Sequence, residues 1–344
     1  MKILVCGGAG YIGSHTILEL LSADYEVVIA DNFSNSCPEV IKRLEKISGT
    51  SIPYAEGDLD DQSFVDQLFE QYGPFEAVIH FAALKAVGES CLKPIEYYKN
   101  NLISTLNILD SMRKFGCHKI IYSSSATVYG EPEHLPIAES VGTSSATNPY
   151  GQSKIINERF LEDYAKADPE FIATALRYAN PLGAHESGEI GEEPNGIPGN
   201  LVPYIAKVAV GKLDHLNIFG DDYPTPDGTG RRDYIHVVDL AKGHVAALAE
   251  MNTRKGFDAI NLGTGRSYSV FEILNCYSEV CGRKLPYEIK ARRPGDIAEN
   301  YLDPTKAKEK LNWTAQYDLR RMLEDSWHWQ SKNPDGYTSP ADSK

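Results

Sequence analysis

Lys2-Ile3-Leu4-Val5-Cys6-Gly7-Gly8-Ala9-Gly10-Tyr11-Ile12-Gly13 runs from a short apolar stretch straight into a cluster of glycines. An apolar run bounded this abruptly reads as a buried strand, and the glycines read as a tight turn. A helix fits from there through Leu21, with Ile12, Ile17, Leu18 and Leu21 at its apolar positions. The Gly7-x-x-Gly10-x-x-Gly13 spacing differs from Gly-x-Gly-x-x-Gly, but the physics is shared. Glycines let the backbone approach a ligand closely, and a helix N-terminus attracts a pyrophosphate. Taken alone, the motif fits a plain turn equally well. Asp31 shifts the balance. It closes a second apolar run, Glu26–Ala30, and lies 21 residues beyond Gly10. A carboxylate there meets the hydroxyls of an adenosine ribose and repels a 2′-phosphate, which favours NAD over NADP.

Strand and helix signals then alternate. Helices fit about 38–47, 62–72 and 94–114, and strands fit 51–56, 77–80, 119–123 and 171–177. This pace implies an α/β fold with a doubly wound parallel sheet of Rossmann type. The stripe Ile95, Tyr98, Leu102, Leu106 and Leu109 reads as a packing face, against the sheet or a partner subunit. After Tyr178 the rhythm breaks, with five glycines and three prolines before Asn200. A stretch of that kind is a binding loop or a boundary. It divides the chain into a dinucleotide-binding domain, 1–179, and a smaller C-terminal substrate domain, 180–344. A return segment near 233–262 is expected to rejoin the first domain, with Asp233–Val237 as a strand of the main sheet. Further helices are expected at 201–210, 238–250 and 270–281, and residues after about Asn333 read as frayed.

The chemistry-bearing stretch is Ser123-Ser124-Ser125-Ala126-Thr127-Val128-Tyr129-Gly130, followed by Pro149-Tyr150-Gly151-Gln152-Ser153-Lys154. The first delivers serines to the carboxyl end of a strand, where open sheets bind ligands. In the second, Pro149 opens a helix, and Tyr150 and Lys154 share one face as an i, i+4 pair. With 20 tyrosines in the chain, one Tyr-x-x-x-Lys is expected by chance, so the motif carries weight only through its companions. A lysine ammonium favours a phenolate, so Tyr150 is expected to ionise below its ordinary pKa of about 10 and to act as a base.

Composition narrows the field. The 344 residues carry a net charge of −14, which disfavours nucleic acid as a partner. No apolar run reaches the 18 residues of a membrane span, so no membrane partner is expected and a cytoplasmic location is. The six cysteines include no Cys-x-x-Cys pair and the nine histidines show no zinc spacing, so no metal is expected.

Together these features resemble the extended short-chain dehydrogenase/reductase family, and within it the UDP-glucose 4-epimerases (UDP-galactose 4-epimerases). The stretches carrying the resemblance are Val5–His15, His80–Ser90, Ser123–Gly130, Leu176–Ala184, Ile218–Val237 and Arg292–Asp296, nearly the whole length of the chain. The resemblance implies reversible C4 epimerisation of UDP-galactose and UDP-glucose on tightly bound NAD, through a 4-keto sugar. In it Tyr150 takes the proton of the sugar 4-hydroxyl, Ser125 hydrogen-bonds the same oxygen, and Lys154 binds the nicotinamide ribose. It further implies that NAD is held by Gly7, Gly10, Tyr11, Ile12, Gly13, Asp31, Asn32, Asn35, Ser36, Asp58, Leu59, Phe81, Ala82, Ala83, Lys85, Asn100, Ser123 and Tyr178, besides Tyr150 and Lys154. The UDP-sugar falls to Lys85, Ser125, Tyr150, Asn180, Asn200, Leu201, Asn217, Phe219, Arg232, Arg293, Asp296 and Asn300. Family members commonly pair through the helices at about 94–114 and 150–166, so a homodimer is implied.

The chain departs from the family pattern at three positions. Ala83 stands where glycine is common, Ala179 where an aromatic often precedes the Asn180-Pro181 pair, and Asn300 where members carry either a bulky aromatic or a small residue. A small residue leaves room for a 2-N-acetyl group, so UDP-N-acetylglucosamine is expected as a further substrate. A nucleotide-sugar 4,6-dehydratase is the alternative on the same fold. It needs an acid in the stretch matching Ala126-Thr127-Val128, where this chain carries none. A non-enzymatic NAD-binding regulator would have no use for Ser125, Tyr150 and Lys154 together.

Overall fold

A computed structural model of the chain describes residues 1–143, 146–293 and 296–337. The first half alternates as β1 (Lys2–Cys6), α1 (Tyr11–Ser22), β2 (Glu26–Asp31), α2 (Glu39–Ser48), β3 (Tyr54–Glu56), α3 (Gln62–Tyr72), β4 (Ala77–His80), α4 (Val87–Leu92), α5 (Pro94–Phe115), β5 (Lys119–Ser123), α6 (Pro149–Ala167) and β6 (Ile172–Tyr178). The second half continues with β7 (Asn180–Leu182), α7 (Leu201–Ala209), β8 (Leu216–Phe219), β9 (Arg231–His236), α8 (Val237–Glu250), β10 (Gly256–Leu262), β11 (Ser267–Ser269), α9 (Val270–Val280), β12 (Tyr287–Lys290), β13 (Glu299–Asn300), α10 (Thr305–Leu311) and α11 (Leu319–Lys332).

A seven-stranded parallel sheet runs β10-β6-β5-β4-β1-β2-β3. Its order reverses between β1 and β4, the switch point at which open sheets leave a crevice for a ligand. Side chains alternate across the sheet. Ile3 and Val5 join Ile17, Leu20 and Ile29 on one face, and Leu4 and Cys6 join Val65, Leu68 and Ile108 on the other. Each fully buried aliphatic side chain stabilises the fold by about 1.5–3 kcal/mol, which is why a strand covered on both faces is apolar at every position. Asp61 caps α3 by accepting from Ser63 N at 2.8 Å, and Ser269 with Glu272 closes a capping box on α9.

The second half builds its own apolar cluster from Val202, Ile205, Ile218, Tyr234, Ile273, Tyr277, Met322 and Leu323. Here the sequence expectation needs correction. The strand expected to rejoin the main sheet, Asp233–Val237, lies instead in β9, which pairs with β7, β11 and β13. The outer edge of β6 is taken by β10, in register from Gly256 opposite Ile172 to Leu262 opposite Tyr178. β9 begins with Arg231, Arg232 and Asp233, and Arg231 finds ion partners in Glu272 on α9 and Glu299 on β13. The return to the first half is made by β10 and by α8, whose Leu240, Ala247 and Leu248 join the core beside α1.

Three smaller differences have local causes. The third strand starts at Tyr54 rather than Ser51, because Pro53 has no N–H for the ladder. The chain is held beyond Asn333: the Tyr337 ring packs on Trp329, and its hydroxyl donates to Gly191 O at 2.9 Å. On α5, Leu109 is buried but Ile95 and Leu106 are exposed. The core face is Tyr97, Asn101, Thr105, Ile108 and Met112.

Candidate active site

The glycine turn after β1 is packed too tightly for side chains. Gly7 has φ +76°, and a Cβ there would lie 2.7 Å from Ala82 N; a Cβ on Gly13 would lie 2.4 Å from Gly7 O. Gly10 sits at the N-cap of α1, where no side chain caps the helix, so the first N–H groups at Tyr11, Ile12 and Gly13 remain available to an anion. At the end of β2, Asp31 is buried and accepts from Ala9 N at 3.0 Å, Phe33 N at 2.9 Å and Ser36 Oγ at 2.9 Å. Burial raises its pKa, and these hydrogen bonds oppose the rise. Asn32 donates to Asp58 in the next loop, Leu59 is buried, and Asn35 is exposed. A cradle that a methyl would fill, an uncapped helix N-terminus and a carboxylate at the next strand end fit a non-phosphorylated dinucleotide.

The next strand ends bring in the remaining residues. Phe81 and Ala82 hydrogen-bond through their N–H groups to Cys6 O at 2.8 and 3.1 Å, which closes the β4 turn against the glycines. Ala83 follows, partly exposed. Asn101 rather than Asn100 shapes this segment. It is buried, accepts from Leu84 N at 2.8 Å, and donates to Leu84 O and Ser153 Oγ at 3.0 Å each. Asn100 stands one position before it, partly exposed.

The catalytic set assembles where β5 meets α6. Asn148 caps α6 by accepting from Gly151 N at 2.9 Å, and Pro149 fills the first turn. Gly151 allows the close approach, since a Cβ there would lie 2.8 Å from Ala146 Cβ and 3.1 Å from Thr127 Oγ1. The Ser125 side chain then faces the Tyr150 phenol and favours its ionised form. Ser125 Oγ also accepts from Thr127 N at 3.2 Å and Thr127 Oγ1 at 3.0 Å, so the hydroxyl is fixed in direction. Lys154 Nζ donates to Ser123 O at 2.7 Å and lies over the rings of Tyr122 and Tyr150, 4.8 and 5.7 Å from their centroids. Ser123 Oγ in turn bonds the Tyr178 hydroxyl.

The expected low pKa of Tyr150 is not what the protein alone produces. Burial raises it, and the Ser125 side chain facing the phenol only partly opposes this. Lys154 sits beside the ring rather than at the hydroxyl, and burial pushes its own pKa down to about 7. A half-charged ammonium aimed at a carbonyl gives the phenolate little help.

The second half contributes a polar wall. Asn180, Arg232 and Arg293 all lie around the Tyr234 phenol, and each favours its ionised form against the burial that raises its pKa. Arg232 is aimed by two bonds of 2.8 Å to Arg231 O and Ile297 O. Arg293 pairs with Asp296 at 2.9 Å and stacks over Phe219 at 4.9 Å. Pro294 and Gly295, within the stretch that carried the resemblance, lie outside the described residues. Asn217 donates to Tyr204 at 3.3 Å, while its Oδ1 and that of Asn300 are buried with no protein partner. Leu201 begins α7 directly after Asn200, and Asn200 Nδ2 donates to Glu192 Oε1 at 3.2 Å. Lys85 reaches the same Glu192 oxygen at 3.7 Å from the other half of the chain. A cavity of about 430 Å³ between α9 and β12, lined by Leu274, Ser278, Arg283, Lys284, Leu285 and Tyr287 among others, shares no residue with this set.

Sequence reading missed two contributors. Glu192 ties Lys85 to Asn200, and nothing in its local sequence marks it. Glu158, buried behind the catalytic residues, accepts from Ser124 Oγ at 2.5 Å and pairs with Arg177. Its position four residues after Lys154 on the same helix face was a usable signal.

Comparison with known proteins agrees with this arrangement. The GDP-mannose 4,6 dehydratase family profile matches residues 4–326. The UDP-glucose 4-epimerase of Bacillus subtilis is 55% identical over 339 residues, 98% of this chain and 99% of the relative. The crystal structure of UDP-glucose 4-epimerase from Bifidobacterium longum in complex with NAD+ and UDP superposes with a TM-score of 0.95 at 52% identity, covering 98% of this chain and 100% of that one. A UDP-Glc/GlcNAc 4-epimerase from Campylobacter jejuni gives a TM-score of 0.84 at 37% identity, over 96% and 99% of the two chains.

Proposed function

This chain belongs to the extended short-chain dehydrogenase/reductase family, on its UDP-glucose 4-epimerase branch, and from that premise we propose how its residues carry the reaction. It interconverts UDP-galactose and UDP-glucose with NAD as resident cofactor. The observation that carries the reading is the Ser125–Tyr150–Lys154 set at the end of β5, beside the glycine cradle. The Gly7–Gly13 turn and Asp31 would hold NAD, which would supply a hydride acceptor and donor beside C4 of the sugar. Tyr150 holds the proton of the sugar 4-hydroxyl, Ser125 orients that oxygen, and Lys154 sets the charge around both. Once the proton and hydride have left C4, the 4-keto sugar turns over between the Asn180/Arg232/Arg293 wall and the sheet, and Tyr150 returns the proton.

The dehydratase alternative lacks its acid. In the 3₁₀ turn Ala126–Tyr129, the segment Ala126-Thr127-Val128 carries no carboxyl, and its one hydroxyl is committed to Ser125. Asn300 supports the N-acetyl substrate as well: a small amide with an unpartnered oxygen stands at that position, and it matches a buried site that accepts a polar group. A homodimer is supported by Leu92, Ile95, Ile103 and Leu106, an exposed apolar strip along α4 and α5. A cytoplasmic location is supported by six free cysteines.

The test is to incubate the purified protein with UDP-galactose and no added NAD, and to separate the products by chromatography. UDP-glucose is expected. A 4-keto-6-deoxy product would replace this reading with the dehydratase.

A further inference from the structure

Glu158 stands two turns beyond Tyr150 and one turn beyond Lys154 on α6, and it is 4% exposed. Its carboxylate is fully engaged. Oε1 accepts from Ser124 Oγ at 2.5 Å and Arg177 Nε at 3.0 Å, and Oε2 accepts from a terminal nitrogen of Arg177 at 2.5 Å. Arg177 is itself fixed from behind: its other terminal nitrogen donates to the Tyr129 hydroxyl at 3.0 Å, its guanidinium lies 4.9 Å from that ring, and Tyr129 donates to Asn261 Oδ1 at 2.6 Å. One carboxylate thus joins α6, the end of β5 and β6, with β10 behind them.

Stability alone does not account for such a pair. Desolvating two ions costs about as much as their attraction returns, and apolar residues of the same volume serve a core equally well. What the pair does provide is direction. Ser124 lies between Ser123, whose carbonyl receives Lys154, and Ser125, whose side chain faces the Tyr150 phenol. Pinning the middle hydroxyl fixes which way both neighbours face. Resting on the reaction proposed above, we infer that Glu158 is a positioning residue of the catalytic set, orienting Ser125 through Ser124 and placing a carboxylate one turn from Lys154 on the same helix face.

The charge effect also has a geometric basis. The groups around Lys154 are Tyr122 on β5, His80 on β4, Tyr150 on its own helix and Glu158. Burial holds His80 neutral and keeps Tyr122 protonated. Glu158 therefore supplies the negative charge that opposes the loss of the Lys154 proton.

The experiment uses the full-length holoenzyme with ε-13C-labelled lysine, Lys154 being assigned by its absence in Lys154→Met. In Glu158→Gln, Lys154 is expected to titrate about one pH unit lower, with kcat on UDP-galactose about tenfold lower and KM within about twofold. In Ser124→Ala, kcat falls by about the same factor while Lys154 titrates as in the wild type, which separates the two routes. If Glu158→Gln does not fold, the Glu158→Met/Arg177→Met double variant removes both charges and is expected to fold. It should still lose about tenfold in kcat, through Ser124. Unchanged Lys154 titration in Glu158→Gln, or full kcat in the folded double variant, would overturn the inference. Wild-type protein that turns over no UDP-galactose would sink the reaction instead, and the Lys154 titration would still decide whether Glu158 acts on that lysine.

Discussion

The Tyr11 hydroxyl donates a 2.6 Å hydrogen bond to the carbonyl of Gly183, 172 residues further along the chain. Tyr11 begins α1 at the glycine turn, and Gly183 begins the loop that leads into the second half, at φ +97°. The glycine turn and the segment after β7 are therefore joined by one side chain. Tyr11 was read as a cofactor contact, and its backbone N–H keeps that role in the proposal, but its ring bridges the halves.

Removing only that hydroxyl leaves the Gly183 carbonyl without its partner. Tyr11→Phe is expected to lower unfolding stability by about 1–3 kcal/mol, read by urea denaturation of the wild type and variant side by side. Equal midpoints would mean that the bridge contributes nothing.

Tyr150→Phe keeps the ring and removes the proton carrier. Turnover of UDP-galactose is expected to fall by about 10²–10⁴ while NAD stays bound, since general acid–base catalysis supplies a factor of that order. Absorbance of the desalted protein reports the cofactor, and product chromatography reports the rate. A variant with both NAD and near-normal turnover would remove Tyr150 from its role.

The buried titrating groups give the protein without ligand a defined pH response. Lys154 is held at about 7, well below its ordinary 10.5, so between those values the unfolded chain binds more protons than the folded one. Its contribution to stability therefore rises with pH across that window. His15, His80 and His244 are buried neutral, with pKa values pushed down to about 3, 3 and 4. Their contribution is complete above the ordinary histidine value and is lost as pH falls toward 4. Tyr150 is raised and enters only above pH 10. Unfolding curves of Lys154→Met should lack the rise between pH 7 and 9 and keep the acid limb; an unchanged rise would place its origin elsewhere.

Asn300→Tyr fills the position beside Arg232 on the short pair of β13 with β9. The variant is expected to lose activity on UDP-N-acetylglucosamine while keeping UDP-galactose turnover within about threefold. Parallel loss of both activities would show that position 300 supports the site as a whole instead of selecting the 2-substituent.

The first half was legible because its signals are local. The glycine turn, Asp31 and the continuous apolar run of Ile3, Leu4, Val5 and Cys6 each act within a few residues, and β1, α3, β4 and β5 fall where the sequence put them. The second half was read less well. β8, β12 and β13 are two to four residues long, and their pairing depends on partners far along the chain. β9 looks like any strand in sequence. Its place in the small sheet follows from β10 occupying the edge of β6 and from acids at 272 and 299 waiting for Arg231.

The sequence by itself determined the doubly wound sheet and the cofactor class, and it put Tyr150 and Lys154 on one helix face. These rest on backbone geometry and on an i, i+4 spacing that any helix imposes. Only the tertiary structure decided how those residues are charged and aimed. Burial, rather than the neighbouring lysine, governs the Tyr150 phenol in the protein alone, and Glu158 with Arg177 orients the serine turn from behind. Desolvation and distant ion pairs are properties of the packed interior, so they have no local signature to read.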